Sequence, residues 1–378
     1  MNHLHFVDKY GSFTMDKPEN VSYLYFPLAS ETGLKSSLTP NLGGDAKIDQ
    51  ETFLLEPVSA ENLHSNRGVR NFWLVDEDGQ AFSVSGASAR QEADRFTPAQ
   101  DDSRLTAGLM WQTVERTAQD LGLDTEVTAF CPRQDNVEIL CITVRNQQEQ
   151  PRWLTPIAAV PLYGRSADNI RDHRNVTSML HRIWTTENGV MVRPTISFDE
   201  RGHRPNHKVY YVEGFGPEGQ KPEAFYPTVE SFLGEGGTYL HPRAVYEQYP
   251  GVKAGSRAEG REAMGAFRFP AITLAPGQEA HYVLLLGVED SEEAVNAIWD
   301  KYHSWEQVQA VLDETRSYWK EKVNVSFRTG DPDFDNLMKW VCFQPFLRRL
   351  FGCSFLPHHD YGLSLIHISE PTRLLSIS

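Results

Sequence analysis

Three stretches of this 378-residue sequence bring together residue types that do chemistry. The first, Gly214-Phe-Gly-Pro-Glu-Gly219, matches the GxGxxG spacing of a dinucleotide loop. Such a loop needs a strand before it and a helix after it, so that the pyrophosphate meets the helix N-terminus. Pro217 intrudes and Gln220-Lys221-Pro222 follows, so this stretch reads as a β-turn loop. The second, His358-His359-Asp360, could suggest a metal centre. Adjacent histidines in an extended chain point to opposite faces and rarely chelate one ion, so a polar loop is expected and no metal site. The third is 163–208. From Arg165 to Lys208 it holds eight Lys/Arg against five Asp/Glu, inside a chain whose net charge is −15, and four of the thirteen histidines. Arginine forks beside Asp and Asn suit sugar hydroxyls or a phosphate gripped by two donors. The competing explanation is a salt-bridged loop that braces a sheet edge.

The elements that must position these residues change character along the chain. Up to about residue 288 the signals are those of strands. Asn71–Val75 and Ala81–Ser85 flank an Asp76–Gly79 turn as a hairpin would. Glu138–Asn146 and Trp153–Val160 flank a polar QQEQP, and Phe269–Leu274 and His281–Gly287 flank Ala275–Gln278. Many short β-rich runs between Gly, Pro and Asp turns predict a large antiparallel sandwich. Then the period changes. Ser291–Tyr302 has acids in its first turn and apolar residues at helical spacing. Ser304-Trp-Glu-Gln307 is a capping-box pattern that opens a second helix to 322. Val323–Phe327 reads as a short strand-like piece. Asp331-Pro332 is an N-cap with proline at the first helical position. The third helix it starts runs to about 351, through Phe334, Leu337, Met338 and Val341, and Pro345 is expected to kink it.

Composition removes several functions. With 36 Lys+Arg against 51 Asp+Glu, a nucleic-acid partner or an anionic membrane surface is not expected. No apolar run approaches the roughly 20 residues of a membrane-spanning helix. The start, MNHLHFVDKYGSF, has no basic segment leading into an apolar one, so it does not read as a secretory signal. Cys131, Cys141, Cys342 and Cys353 form no CxxC pair and no disulfide framework. Reduced thiols and a cytoplasmic location follow as expectations.

The tail Leu363–Ser378 (LSLIHISEPTRLLSIS) differs in composition from everything before it. Reverse-translated, Leu363–Arg373 resembles the transposon-end adapter used in sequencing libraries. The native chain is therefore expected to stop at Gly362, and 363–378 to be an artefactual addition. About 30 residues after 322 cannot make a helical domain of their own, so the chain is expected to be a fragment.

Longer stretches carry a family resemblance. SYLYFPLASETGLKSSLTPNLGGD (22–45), RNFW (70–73), PLYGRSADNIRDHRNVTSMLHR (161–182) and FDERGH (198–203) resemble glycoside hydrolase family 94, the cellobiose-phosphorylase-like proteins. Asn336, Trp340, Gln344 and Arg349 resemble the family's entry into its catalytic (α/α)6 barrel. The resemblance implies a mainly β fold, with a supersandwich over 1–288, a helical linker over 289–322 and the start of a truncated barrel over 323–362. It implies phosphorolysis of a β-glucoside, cellobiose or a related β-linked oligosaccharide, with inversion to an α-sugar 1-phosphate. Inorganic phosphate is then a co-substrate, no cofactor is needed, and a homodimer is expected. The general acid is expected to be an Asp beyond Gly362, so no catalytic residue is expected here. Arg165, Asp168, Arg171 and Arg349 are the candidate substrate-binding residues, with the Arg165–Arg174 loop expected to be exposed. The rival expectation is a carbohydrate-binding or dimerisation module without chemistry.

Overall fold

The structure is a computed structural model that describes residues 4–21, 25–58, 65–167, 174–199 and 202–351. Asp168, Arg171, His358–Asp360 and the 363–378 tail lie outside the described residues.

Mainly β architecture is observed, as the strand-like runs predict. Three antiparallel sheets make up most of it. The largest has eleven strands, centred on Trp111–Ala118, Leu123–Phe130, Val137–Asn146, Glu279–Glu289 and Val209–Phe215. A second sheet of six strands is built around Arg152–Leu162, flanked by Asn71–Asp76 and Ala263–Arg268. A third, of four strands, spans Phe26–Phe53. Leucines and valines of alternate positions on the two larger sheets, among them Leu74, Leu105, Val114, Leu140, Val160 and Leu284, fill the core between them.

The strand pairs picked out in the sequence are arranged in two ways. Asn71–Asp76 and Ala81–Ser83 form the expected hairpin. Val137–Asn146 and Arg152–Leu162 do not pair: the first lies in the large sheet and the second in the six-stranded one. Ile272–Leu274 and Glu279–Glu289 are divided in the same way. Both connections step across the sandwich. Asn146 fastens them together, its Nδ2 donating to the carbonyls of Gln150 (2.8 Å) and Leu274 (2.9 Å).

All three sheets meet at one ion pair. Arg70, just before the strand Asn71–Asp76, places Nε 2.5 Å from Oε1 of Glu138 on the large sheet, and neither side chain is exposed. Arg70 Nη2 also donates to Glu138 Oε2 (3.0 Å) and to the Asp45 carbonyl of the small sheet (3.1 Å). Ser36 Oγ of that same small sheet donates to Glu138 Oε2 at 2.5 Å. A buried pair is tolerable only when its remaining donors and acceptors are occupied, and here they are.

Three helices follow the strands: α1 (Glu292–Tyr302), α2 (Trp305–Lys322) and α3 (Pro332–Phe351). The starts of α2 and α3 match the caps expected at Ser304 and Asp331, and Ser291 adds an unexpected one at α1. Ser291 and Ser304 accept from the backbones of Ala294 and Gln307, and Asp331 Oδ1 from those of Asp333 and Phe334. Val295, Ile298, Val308 and Leu312 of α1 and α2 cover Phe130, Ile139, Val283 and Leu285 on the outer face of the large sheet. Burial of this kind contributes about 1.5–3 kcal/mol per large side chain. α3 continues through Pro345 as one element. It packs Phe343 and Leu347 against Trp319 and Val323. Its Trp340 Nε1 donates to the Gly11 carbonyl (2.8 Å), while Gly11 N donates to Asn336 Oδ1 (3.1 Å). Gly11 has φ +88°, and a Cβ there would lie 3.3 Å from Trp340 Nε1, so the position needs glycine on both counts. The other face of α3 presents Phe334, Leu337 and Val341, each about half exposed.

Val323–Phe327 is not a strand. Val323 N closes the end of α2 on the Trp319 carbonyl, and Lys339 Nζ donates to the Val325 carbonyl at 2.5 Å. A side chain thus takes the acceptor that a neighbouring strand would have used.

Candidate functional site

Arg165 follows the central strand of the six-stranded sheet. Tyr163 N donates to the Leu54 carbonyl, and Phe53 N to the Arg165 carbonyl, so this segment ties that sheet to the small one. Gly164 between them has φ +59°, and a Cβ on it would come within 3.4 Å of His181 Nε2. The turn aims the Arg165 side chain inward. Its exposure is 2%, against the expectation of an exposed loop residue. The guanidinium lies 5.1 Å from the Tyr163 ring centroid, and its Nη2 is 2.8 Å from Oε2 of Glu262. None of its three nitrogens has a hydrogen-bond partner among the described residues, so the Glu262 contact is a pairing of charges without hydrogen-bond alignment. The neighbouring His181 is likewise buried. Desolvation, and then the charge of Arg165, push its pKa down to about 3, so it is neutral at physiological pH.

Glu262 also lines a cleft at the surface, together with Glu56, Asn66, Tyr163 and Tyr239. The cleft holds only about 40 Å³, much of its wall is apolar (Val69, Pro161, Leu162, Val229 and Ala263), and the Asn66 amide is spent on the Gly44 backbone, so it has room for ordered water and not for a sugar ring. Sequence reading found Arg165 but missed Glu262 and His181. Glu262 is remote in sequence and carries no local signal, and His181 differed from other histidines only in lying within the basic stretch.

Arg349 is placed elsewhere. It sits near the C-terminal end of α3 with its side chain 58% exposed, and Nη2 donates to Glu31 Oε1 at 3.0 Å. Glu31 also accepts from Tyr318 Oη of α2 (2.8 Å) and from Arg133 Nη1 (3.3 Å). Partial burial acts to raise the Glu31 carboxyl, but hydrogen bonds from Tyr318, Arg133 and Arg349 outweigh it and hold the pKa below the usual range. Glu31 therefore joins both helices to the β domain. No ion pair or hydrogen bond links Arg349 to Arg165 among the described residues.

One further carboxyl is perturbed. Glu213 lies on Val209–Phe215 with Oε2 unpartnered among the described residues, and burial pushes its pKa up to about 8 against the hydrogen bonds of Thr186 and Asn188. It is protonated at neutral pH. Burial also raises the Cys131 and Cys141 thiols, which keeps them unreactive. The 214–219 stretch forms a closed turn, Gly216 N to the Gln220 carbonyl and Gly219 N to that of Gly216, without a long helix behind it. Among the described residues no group of three His, Cys, Asp or Glu could hold a metal ion, and no helix is long and apolar enough to cross a membrane.

The Glycosyl hydrolase 94 supersandwich domain matches this sequence over residues 46–305, more than half of the chain. The chain belongs to the glycosyl hydrolase 94 family. That match covers the central strands of the two larger sheets, Arg165, His181 and Glu262, and ends as α2 begins. Comparison with curated proteins gives no matching relative. Among solved structures, a bacterial glucoamylase complexed with acarbose is similar at 8% identity and a TM-score of 0.42, covering 90% of this chain and 43% of its own. The glycosyl hydrolase 94 chain thus spans less than half the length of that enzyme. A putative aldose 1-epimerase from Escherichia coli K12 is similar at 10% identity and a TM-score of 0.32, covering 70% of this chain and 99% of its own. A galactose mutarotase-like protein from Clostridium acetobutylicum gives 8%, 0.34, 77% and 99%. Similarity this distant says nothing about substrate or reaction.

Proposed function

We propose that this glycosyl hydrolase 94 chain is the N-terminal part of an inverting carbohydrate phosphorylase. In this reading the whole enzyme cleaves a β-glucoside, cellobiose or a related β-linked gluco-oligosaccharide, with inorganic phosphate. The family match over 46–305 is the observation that carries the proposal. Inverting glycoside cleavage needs a carboxylic acid to protonate the leaving oxygen and a nucleophile on the opposite face of the sugar. Phosphate is already a nucleophile, so the base that would activate water is dispensable. The acid is expected in the chain that follows α3. This part supplies a rigid sandwich, two covering helices and α3 as the first helix of the catalytic barrel. Arg165 contributes from beneath the Glu262 cleft, and Arg349 from the end of α3. Asp168 and Arg171 complete the proposed substrate-binding set. The enzyme works in the cytoplasm as a homodimer, with one sandwich approaching the site of its partner.

The test is to extend the reading frame past Gly362 in the source DNA and express the result. Cellobiose, laminaribiose and sophorose are then each incubated with phosphate. Phosphate-dependent release of α-glucose 1-phosphate from one of them is expected, with none from the 378-residue chain. Release of free glucose alone, at a rate indifferent to phosphate, would overturn the reading.

A further inference from the structure

A second site with its own chemistry lies where the N-terminal hairpin, the end of α2 and the start of α3 converge. The cleft there has a volume of about 760 Å³, within the range of pockets that hold small ligands. Lys9, Lys320, Arg328 and Lys339 line it against two carboxylates, Glu321 and Asp335, in a chain whose net charge is −15. The Asp335 carboxylate is already engaged, accepting from Thr329 N (3.0 Å) and Thr329 Oγ1 (2.8 Å). Lys339 is also engaged, on the Val325 carbonyl. Lys9, Lys320 and Arg328 are exposed and form no ion pair among the described residues. Both ammoniums are held at one ring, Lys9 Nζ 5.3 Å and Lys320 Nζ 5.0 Å from the Tyr10 centroid. Two like charges gathered on one aromatic, with a third cation on the same cleft, repel one another until an anion joins them.

The rest of the lining is neutral and polar. Ser317, Asn324 and Ser326 supply hydroxyls and an amide, Asn336 being engaged with Gly11 N and the Pro332 carbonyl, and Tyr10 and Phe327 supply aromatic surface. Cations for a phosphate, two serines and an amide for hydroxyls, and rings for a sugar face describe one ligand class. We propose that this cleft binds a phosphorylated sugar, at a site separate from the Arg165 cleft and about 20 Å along α3 from Arg349. The choice of sugar phosphate rests on the phosphorylase reading, because an α-sugar 1-phosphate is the product that enzyme would make. The cleft touches α2, α3 and the segment between them, so a bound product would bear on how α3 is seated.

Calorimetric titration of the 378-residue chain at low ionic strength tests this, with glucose 1-phosphate, inorganic phosphate and glucose as separate ligands. Saturable binding of glucose 1-phosphate is expected, tighter than phosphate, with glucose silent. The Lys320→Ala/Arg328→Ala variant should raise the Kd at least about tenfold, since it removes two charge-assisted contacts. Lys301→Ala/Lys322→Ala, which removes two helix charges outside the cleft, should leave the Kd unchanged and controls for net charge. Absence of binding, equal affinity for phosphate and glucose 1-phosphate, or equal loss in Lys301→Ala/Lys322→Ala would each overturn the proposal. Phosphorolysis by the extended protein without binding here would sink this inference alone. Binding here without phosphorolysis would sink only the proposed reaction.

Discussion

Arg70 and Arg165 are both almost wholly buried and each meets one glutamate, yet they are held in different ways. The Arg70 guanidinium spends its donors on Glu138 and on backbone carbonyls of the small sheet, and Ser36 completes the carboxylate. Arg165 has its glutamate at 2.8 Å, but among the described residues none of its nitrogens has a hydrogen-bond partner, and its neighbour is a neutral histidine. A saturated buried arginine is a fastening, because every contact it makes belongs to the resting fold. An unsaturated one has donors to spare, and such groups gather where a ligand completes them. The first joins three sheets; the second sits under a cleft.

The largest effect should come from breaking the saturated pair. Glu138→Ala leaves a buried guanidinium unpaired and should cost about 3–5 kcal/mol, read as a lowered denaturant midpoint or loss of soluble protein. The Arg70→Met/Glu138→Leu double variant should recover most of that loss. If Glu138→Ala melts like the parent, the pair is not a fastening.

Next in size is pH. His181 is depressed in the folded state to about 3, so between its ordinary value near 6.5 and that point only the unfolded chain takes up its proton. Stability from this group is complete above pH 6.5 and falls as the pH drops, by about 1.4 kcal/mol per unit. Glu213 is raised to about 8, so the folded state keeps a proton that the unfolded state releases above about 4.5. Its contribution is complete at low pH and declines as the pH rises from 4.5 to 8. The two trends oppose each other between 4.5 and 6.5. Chemical denaturation across pH 3.5–8.5 should therefore show a plateau there with a fall on each side. His181→Asn should flatten the acid limb and Glu213→Gln the alkaline one.

Arg165→Met should cost about 1 kcal/mol or less, because it removes a desolvated charge whose donors were only partly used. It should also soften the acid limb, since the Arg165 charge is part of what depresses His181. In the extended enzyme it should raise the KM for sugar or phosphate. A loss as large as that of Glu138→Ala, with KM unchanged, would erase the contrast between the two arginines. The smallest effect belongs to Arg349→Ala. Its exposed bond to Glu31 should be worth about 0.5 kcal/mol in a thermal melt, since Tyr318 and Arg133 still hold that carboxylate.

The sequence announced some of this and hid the rest for physical reasons. The starts of α2 and α3 were legible because a cap is local: Ser304 and Asp331 bond within three residues of themselves. Strands were legible as runs, but not their sheet. Val137–Asn146 and Arg152–Leu162 look like hairpin partners until Asn146 bonds Leu274 from far along the chain. The burial of Arg165 was illegible for the same reason, since charged residues are exposed by default and Glu262 lies remote in sequence. Of the candidate site the sequence supplied Arg165 and Arg349 by name, and it gave no sign that they would stand in different places.

The bond between Gly11 and Trp340 closes nearly the whole chain into a loop. A protein made from its N-terminus emerges with Gly11 first and must wait for Trp340 until more than three hundred further residues have been added. Until then the opening hairpin lacks its anchor, and α3, arriving so much later, finds its seat only if that hairpin has been kept. Trimming either end should therefore loosen the other. Removing residues 1–12 ought to free α3 to hydrogen exchange, and shortening α3 ought to free the strand at Phe13–Asp16, although more than three hundred residues separate them in synthesis.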